Sequence, residues 1–234
     1  MSKERLKETF QAMNEKGKKS FVAYIMAGDG GLGSLKEKLL FLKSAGVTLV
    51  EIGIPFSDPV ADGPVIQEAG KRALAEGTTL VNVLEELKKI KDEVDLPLVI
   101  MTYINPVFRY GVEAFARGCA EAGVSGVILP DVPYEEGGEV LPALNTYNIA
   151  LIPLVTLTSP KERIERIVAE AEGFVYAVTV NGITGARNNF KSDLKEYLNQ
   201  IKKISPVPVF AGFGISSKEQ AEEIGGLCDG VIVG

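Results

Sequence analysis

The chain has 234 residues, 46% of them hydrophobic and 24% charged, which fits one globular domain, 1–234, and excludes a disordered or low-complexity chain. Its net charge is −6, from 25 basic and 31 acidic residues, and the basic residues are scattered among the acids, which speaks against a nucleic-acid surface. Histidine is absent and cysteine occurs only at Cys119 and Cys228, so a disulfide scaffold, a zinc site of imidazoles or paired thiolates, and Ser-His-Asp or Cys-His catalysis are all excluded.

Proton transfer must then fall to Asp, Glu, Lys, Tyr or Cys. The first residues, Met1 to Arg5, are polar and charged and read as no secretory leader. The apolar runs are too short to span a bilayer. The expectation is a cytoplasmic protein with reduced thiols, no metal and no membrane.

Taken in chain order, buried strands and amphipathic helices alternate. Phe21 to Met26 reads as a strand and Leu35 to Lys43 as a helix. Strand-like runs follow at Thr48 to Ile52 and, after a helix over Leu80 to Val94, at Leu98 to Thr102. Gly126 to Leu129 and Ala150 to Leu154 are the fourth and fifth runs. A helix at Lys161 to Ala169 leads to the sixth, Phe174 to Val178, and a helix at Leu194 to Ile204 leads to the seventh, Val207 to Ala211. Gly230 to Val233 is the eighth. Unbroken β-branched runs suit strands covered on both faces, and apolar residues every three or four positions suit helices packed by one face. Eight such units predict an α/β fold, a (β/α)8 TIM barrel of eight parallel strands. A doubly wound open sheet is the competitor, but no Gly-x-Gly-x-x-Gly follows the first strand. Ala45-Gly46-Val47 before the second strand is echoed by Ala122-Gly123-Val124 before the fourth, which favours the repeating barrel.

In such barrels the reactive residues gather where strands pass into the following loops. The second strand is densest, running Glu51-Ile-Gly-Ile-Pro55-Phe-Ser-Asp58-Pro-Val-Ala-Asp62-Gly-Pro64. A carboxylate inside an apolar strand is costly unless it has a task or a partner. Glu51 is therefore either a functional acid or half of an ion pair with a neighbouring strand. Asp62, on a loop stiffened by three prolines, could share its pocket in a more solvated state. Gly182, Gly185, Gly212 and Gly214, with Ser216 and Ser217 opening a helix, offer backbone amides to an anion. The Gly182 to Asn189 segment is long and polar and is expected to act as a mobile lid.

The motif from Glu51 to Gln67 resembles the signature of the tryptophan synthase alpha chain family. The likeness extends to Ala27-Gly28-Asp29, Pro130-Asp131-Val132-Pro133, Gly182 to Arg187 and Gly212 to Ser216. It implies a lyase of tryptophan biosynthesis that cleaves indole-3-glycerol phosphate by retro-aldol reaction to indole and glyceraldehyde 3-phosphate. On this likeness Glu51 and Asp62 are the catalytic acids, and Tyr24, Tyr176, Thr184, Gly185 and Gly214 bind substrate. Phe21 to Tyr24, Met101, Ile128 and Val155 fall where the family lines an indole pocket. Pro55, Asp58 and Pro133 match loops that meet the partner beta chain, in an alpha2beta2 assembly in which indole passes to the beta chain. No cofactor is implied in this chain; pyridoxal phosphate is implied in the beta chain. Other members often carry proline at position 30, where this chain has Gly30. The family continues beyond strand eight with a serine, a short phosphate-binding helix and a long final helix, so the barrel is expected without its closing helix, with a weaker phosphate site. The alternatives are an inactive or weakly active truncated barrel and another phosphate-binding barrel lyase or isomerase.

Overall fold

The computed structural model describes residues 2–179, 187–212 and 214–234. The helices among them are α1 (Ser2–Glu15), α2 (Leu35–Ser44), α3 (Pro64–Ala75), α4 (Leu80–Ile90), α5 (Ile104–Tyr110), α6 (Val112–Glu121), α7 (Leu141–Thr146), α8 (Lys161–Ala169), α9 (Arg187–Ile204) and α10 (Lys218–Gly225). The strands are β1 (Ser20–Met26), β2 (Leu49–Gly53), β3 (Leu98–Met101), β4 (Gly126–Ile128), β5 (Ala150–Leu151), β6 (Leu154–Thr156), β7 (Val175–Val178), β8 (Val209–Gly212) and β9 (Gly230–Val233). All pair in parallel in the order β5-β4-β3-β2-β1-β9-β8-β7-β6.

The fifth predicted strand is divided, and the division closes the barrel. Its first half, β5, pairs with β4, and its second half, β6, pairs with β7. The change of partner falls at Ile152-Pro153. The Ile152 amide donates to Val127 O at 2.9 Å, while Pro153 O accepts from the Tyr176 amide, also at 2.9 Å. Proline has no N–H for a ladder bond, so Pro153 can join only through its carbonyl. The nine strands thus make the eight staves of a (β/α)8 barrel.

Side chains alternate across each strand. Val22, Leu49, Val99, Ile128, Phe174, Phe210 and Ile232 fill the barrel interior together with Leu6 and Phe10 of α1. Helix α1 was not expected from the sequence. Its two buried residues, Leu6 and Phe10, are four apart, too sparse a stripe to stand out among its charges. Phe174 and Phe210 stack with centroids 4.7 Å apart, and Phe10 meets Phe210 edge-on at 4.9 Å. The outward faces of β2, β3 and β4 pack on α2, α4 and α6 through residues such as Ile52, Ile100, Val127, Leu39, Leu87 and Phe115. Those of β6 to β9 pack on α8 and α9.

Phe21 and Val155 were expected inside an indole pocket and are not there. Val155 belongs to the sheet–helix layer with Ile164 and Ile167, and Leu154 is its inward neighbour. Phe21 is 40% exposed. It lines an outer groove of about 770 Å3 with Ala221, Gly225, Val231 and Val233. The reason in both cases is strand parity: one residue along a strand reverses the face. The final described element is β9. Among the described residues no helix is long and apolar enough to cross a membrane.

Candidate active site

Strand β2 places Leu49 and Glu51 inward and Val50 and Ile52 outward. Glu51 is 1% exposed, and neither carboxylate oxygen has a hydrogen-bond partner among the described residues. The ion-pair reading of Glu51 is thereby overturned: no cation from a neighbouring strand reaches it. Burial, and then the Asp62 carboxylate, push the Glu51 carboxyl up to about 8. It is therefore protonated at neutral pH, because an unpaired charge there would be poorly solvated.

After β2 the chain runs over the barrel mouth through residues 54–63 and enters α3 at Pro64, where a missing N–H costs nothing. This loop brings Asp62 back towards Glu51. Asp62 is half-buried; burial raises its carboxyl, and hydrogen bonding to the Tyr103 hydroxyl opposes the rise. Two acids thus share one electrostatic environment, the deeper of them carrying its proton.

Tyr24 and Tyr176 complete the pocket. Both phenols are raised above their ordinary range, first by burial and then by the two acids. Each leans over a glycine of the next strand. A Cβ on Gly53 would fall 1.9 Å from Tyr24 Oη, and one on Gly212 would fall 2.6 Å from Tyr176 Oη. Gly212, read from the sequence as an anion-binding amide, is thus glycine for another reason: a tyrosine occupies its side-chain space. Met101 and Ile128 lie inward, as expected.

Gly214, after β8, is exposed with φ 76°. The helix start beside it is closed locally: Ser217 caps α10 by accepting from the Gln220 amide, and the Ser216 amide donates to Gln220 Oε1 at 2.9 Å. Thr184 and Gly185 lie outside the described residues, as does most of the Gly182 to Asn189 segment. Of the three residues expected to meet a partner, Asp58 and Pro133 are exposed and Pro55 is buried. Gly30 has φ 78°, a conformation closed to proline. Among the described residues no group of His, Cys, Asp or Glu could hold a metal ion.

Sequence reasoning missed Tyr103, which lies two residues after the end of β3. Its hydroxyl accepts from the Ala61 amide at 3.1 Å, and its ring stacks on Phe56 with centroids 5.3 Å apart. The next amide, Ile104, donates to both oxygens of Asp131 at 3.1 Å. The loops after β2, β3 and β4 are thereby linked. The only signal was an aromatic residue at a strand's C-terminal end.

Residues 10–234 match the family model described as tryptophan synthase alpha chain. This chain belongs to the tryptophan synthase alpha chain family. It is 58% identical over 227 residues to the tryptophan synthase alpha chain of Bacillus cereus, a match that covers 97% of this chain and 88% of that one. Among solved structures, tryptophan synthase subunit alpha from Legionella pneumophila superposes with a TM-score of 0.89 at 35% identity, covering 98% of this chain and 86% of that one. The subunit alpha from Campylobacter jejuni gives 0.85 at 36% identity, covering 92% and 86%. Membership of this family makes the chain an enzyme of tryptophan synthesis.

Proposed function

We propose that this chain cleaves indole-3-glycerol phosphate to indole and glyceraldehyde 3-phosphate. The observation that carries the reading is Glu51: buried, without a partner, and kept protonated beside a second acid. Glu51 gives its proton to indole carbon three, which makes the ring a cationic indolenine. As carboxylate it then takes the proton of the side-chain hydroxyl. The bond between the ring and the side chain breaks, its electron pair restores the indole, and the hydroxyl-bearing carbon becomes the aldehyde. Glu51 ends with the proton it started with. Asp62 accepts the hydrogen bond of the indole N–H and offsets the positive charge of the intermediate. Tyr24, Tyr176, Met101 and Ile128 enclose the ring, and Gly185 and Gly214 hold the phosphate through their amides.

The chain works with a tryptophan synthase beta chain, to which indole passes and which carries the pyridoxal phosphate; this chain needs no cofactor of its own. Supporting a partner at this end, Val60 is 82% exposed on the loop that bears Asp58, and Val65 and Phe108 are exposed on the neighbouring α3 and α5. The reaction belongs in the cytoplasm, with the rest of a soluble biosynthetic route.

The test is indole release from indole-3-glycerol phosphate, with and without added beta chain. Glu51→Gln and Asp62→Asn should each lose at least about 100-fold, the usual scale of a proton-transfer group. In the wild type, kcat/KM should fall as pH rises through about 8, where Glu51 loses the proton it must deliver. Near-normal release by Glu51→Gln would sink the reading.

A further inference from the structure

We propose that Gln67 is the positioning residue of Asp62: its side-chain amide holds the Asp62 carbonyl, and so fixes the peptide on which the second acid of the site is mounted. The inference rests on the role given to Asp62 above and adds to it. Asp62 stands one residue before the cap of α3, and Gln67 lies in the first turns of that helix. Gln67 Nε2 donates to Asp62 O at 2.9 Å. A carbonyl can only accept, so it selects the nitrogen end of the side-chain amide. The Asp62 N–H is held as well, by Pro59 O at 3.1 Å, and the Ala61 N–H before it by the Tyr103 hydroxyl, also at 3.1 Å. Both peptides that meet at the Asp62 Cα are thus anchored, and with them the direction in which its side chain leaves the loop. The base of this latch is firm: α3 packs Ala69 and Ala73 on Met26 of β1, with Tyr24 and Ile66 against them.

The anchor is needed because of the residue that follows it. Gly63 caps α3 without a side chain; its φ of −74° and ψ of 167° are open to any residue, and a Cβ there would meet nothing within 4 Å. Neither its backbone nor its surroundings among the described residues call for glycine. What it does bring is the widest choice of φ and ψ, set between the loop that carries Asp62 and the helix that carries Gln67. A hinge lies there, and the Gln67 bond spans it. A glutamine that served only α3 would strengthen the helix start; one that spans the hinge sets where the acid stands. The two roles part at Gly63. Alanine is a poorer N-cap than glycine, so it would deepen a fault in the helix start, whereas it narrows a released hinge and so offsets the loss of the latch.

The experiment is steady-state indole release, saturated with beta chain, by Gln67→Met with and without Gly63→Ala, beside Asp62→Asn and the wild type. Methionine keeps the length of the side chain and removes its donor. Gln67→Met is expected to lower kcat about tenfold, within the range of a small misplacement. KM should stay within about twofold, as for an acid that acts on the intermediate more than on the bound substrate. In the Gly63→Ala background the same change should cost about two- to fivefold less; read as a ratio, any effect of the alanine itself cancels. An equal or larger loss in that background overturns the proposal, as does a raised KM with kcat unchanged, or wild-type kinetics in Gln67→Met. Any of these with Asp62→Asn inactive leaves the role of Asp62 standing. Near-normal activity in Asp62→Asn overturns both. If Gln67→Met does not fold, Gln67→Asn, whose amide is one carbon short of the carbonyl, takes its place under the same expectations.

Discussion

At the scale of single residues, Glu51 trades stability for chemistry. Its carboxyl lies at about 8 in the folded chain against 4.5 in the unfolded one. Below about pH 4 both states hold the proton and the shift has no effect. Between the two values the unfolded chain ionises and the folded chain does not, so stability falls as pH rises. Glu51→Gln removes this penalty. The variant is expected to be inactive yet more stable than wild type at pH 8, by an amount of order a few kcal/mol, with the gap closing towards pH 4. Urea denaturation at several pH values measures it, and a gap independent of pH would refute the account. Glu51 was legible in the sequence because a charge stands out in an apolar run. Tyr103 was not, because its partners Ala61 and Phe56 sit on a loop that is adjacent only after folding. Val155 and Phe21 were misplaced for a similar reason: β-branched and aromatic residues fit either face of a strand, and parity is decided by neighbours.

Among the elements, the contact between neighbouring strands carries more function than the strands themselves. Tyr24 of β1 reaches across to Gly53 of β2, whose register partner is Met26 rather than Tyr24. The same diagonal recurs between Tyr176 of β7 and Gly212 of β8, whose register partner is Val178. In each case the glycine ends a strand and its missing side chain is the tyrosine's seat. Gly53→Ala would put a methyl inside the Tyr24 ring, with Cζ at 2.5 Å as well as Oη at 1.9 Å. Overpacking of this kind costs about 1–3 kcal/mol. We expect Gly53→Ala to melt at lower temperature and to raise KM for substrate, because the displaced ring is a wall of the pocket. Unchanged KM and unchanged melting together would show that the seat adapts. The helical periods of α4 and α8 were legible from spacing, and α4 also carries a reciprocal cap between Thr79 and Asn82. Short helices such as α5 and α7 were not, since six or seven residues hold too few turns to show a period.

For the molecule as a whole, the two ends of the barrel do different work. Around Glu51 the core is polar and underpacked with partners; at the other end α1 seals the staves with Leu6 and Phe10 against Phe174 and Phe210. Stability and chemistry are thus separated along the barrel axis. Phe10→Ala should lower unfolding free energy by about 3–5 kcal/mol while leaving kcat within about twofold of wild type, since the change is remote from the reacting groups. Chemical denaturation and steady-state assay of the same preparation check both halves; a large loss of kcat in a folded variant would show that the ends are coupled. The alternation of strand and helix was enough to read the closed barrel. The way it closes was not readable, because the divided stave around Pro153 reads in sequence as one unbroken apolar run.

The seam at Pro153 makes one amide a gauge of the barrel's integrity. The Tyr176 N–H is held by the carbonyl of Pro153, the residue at which stave five changes sides. If the cylinder breathes by parting there, that proton is released to solvent while the ladder between β2 and β3 stays shut. In native-state hydrogen exchange, Tyr176 should therefore exchange through a partial opening of lower free energy than the Val50 and Ile52 amides, which report global unfolding. Added denaturant would leave its exchange nearly unchanged at first, the mark of an event that exposes little surface. Exchange of all three at one common free energy would mean that the hoop fails only as a unit.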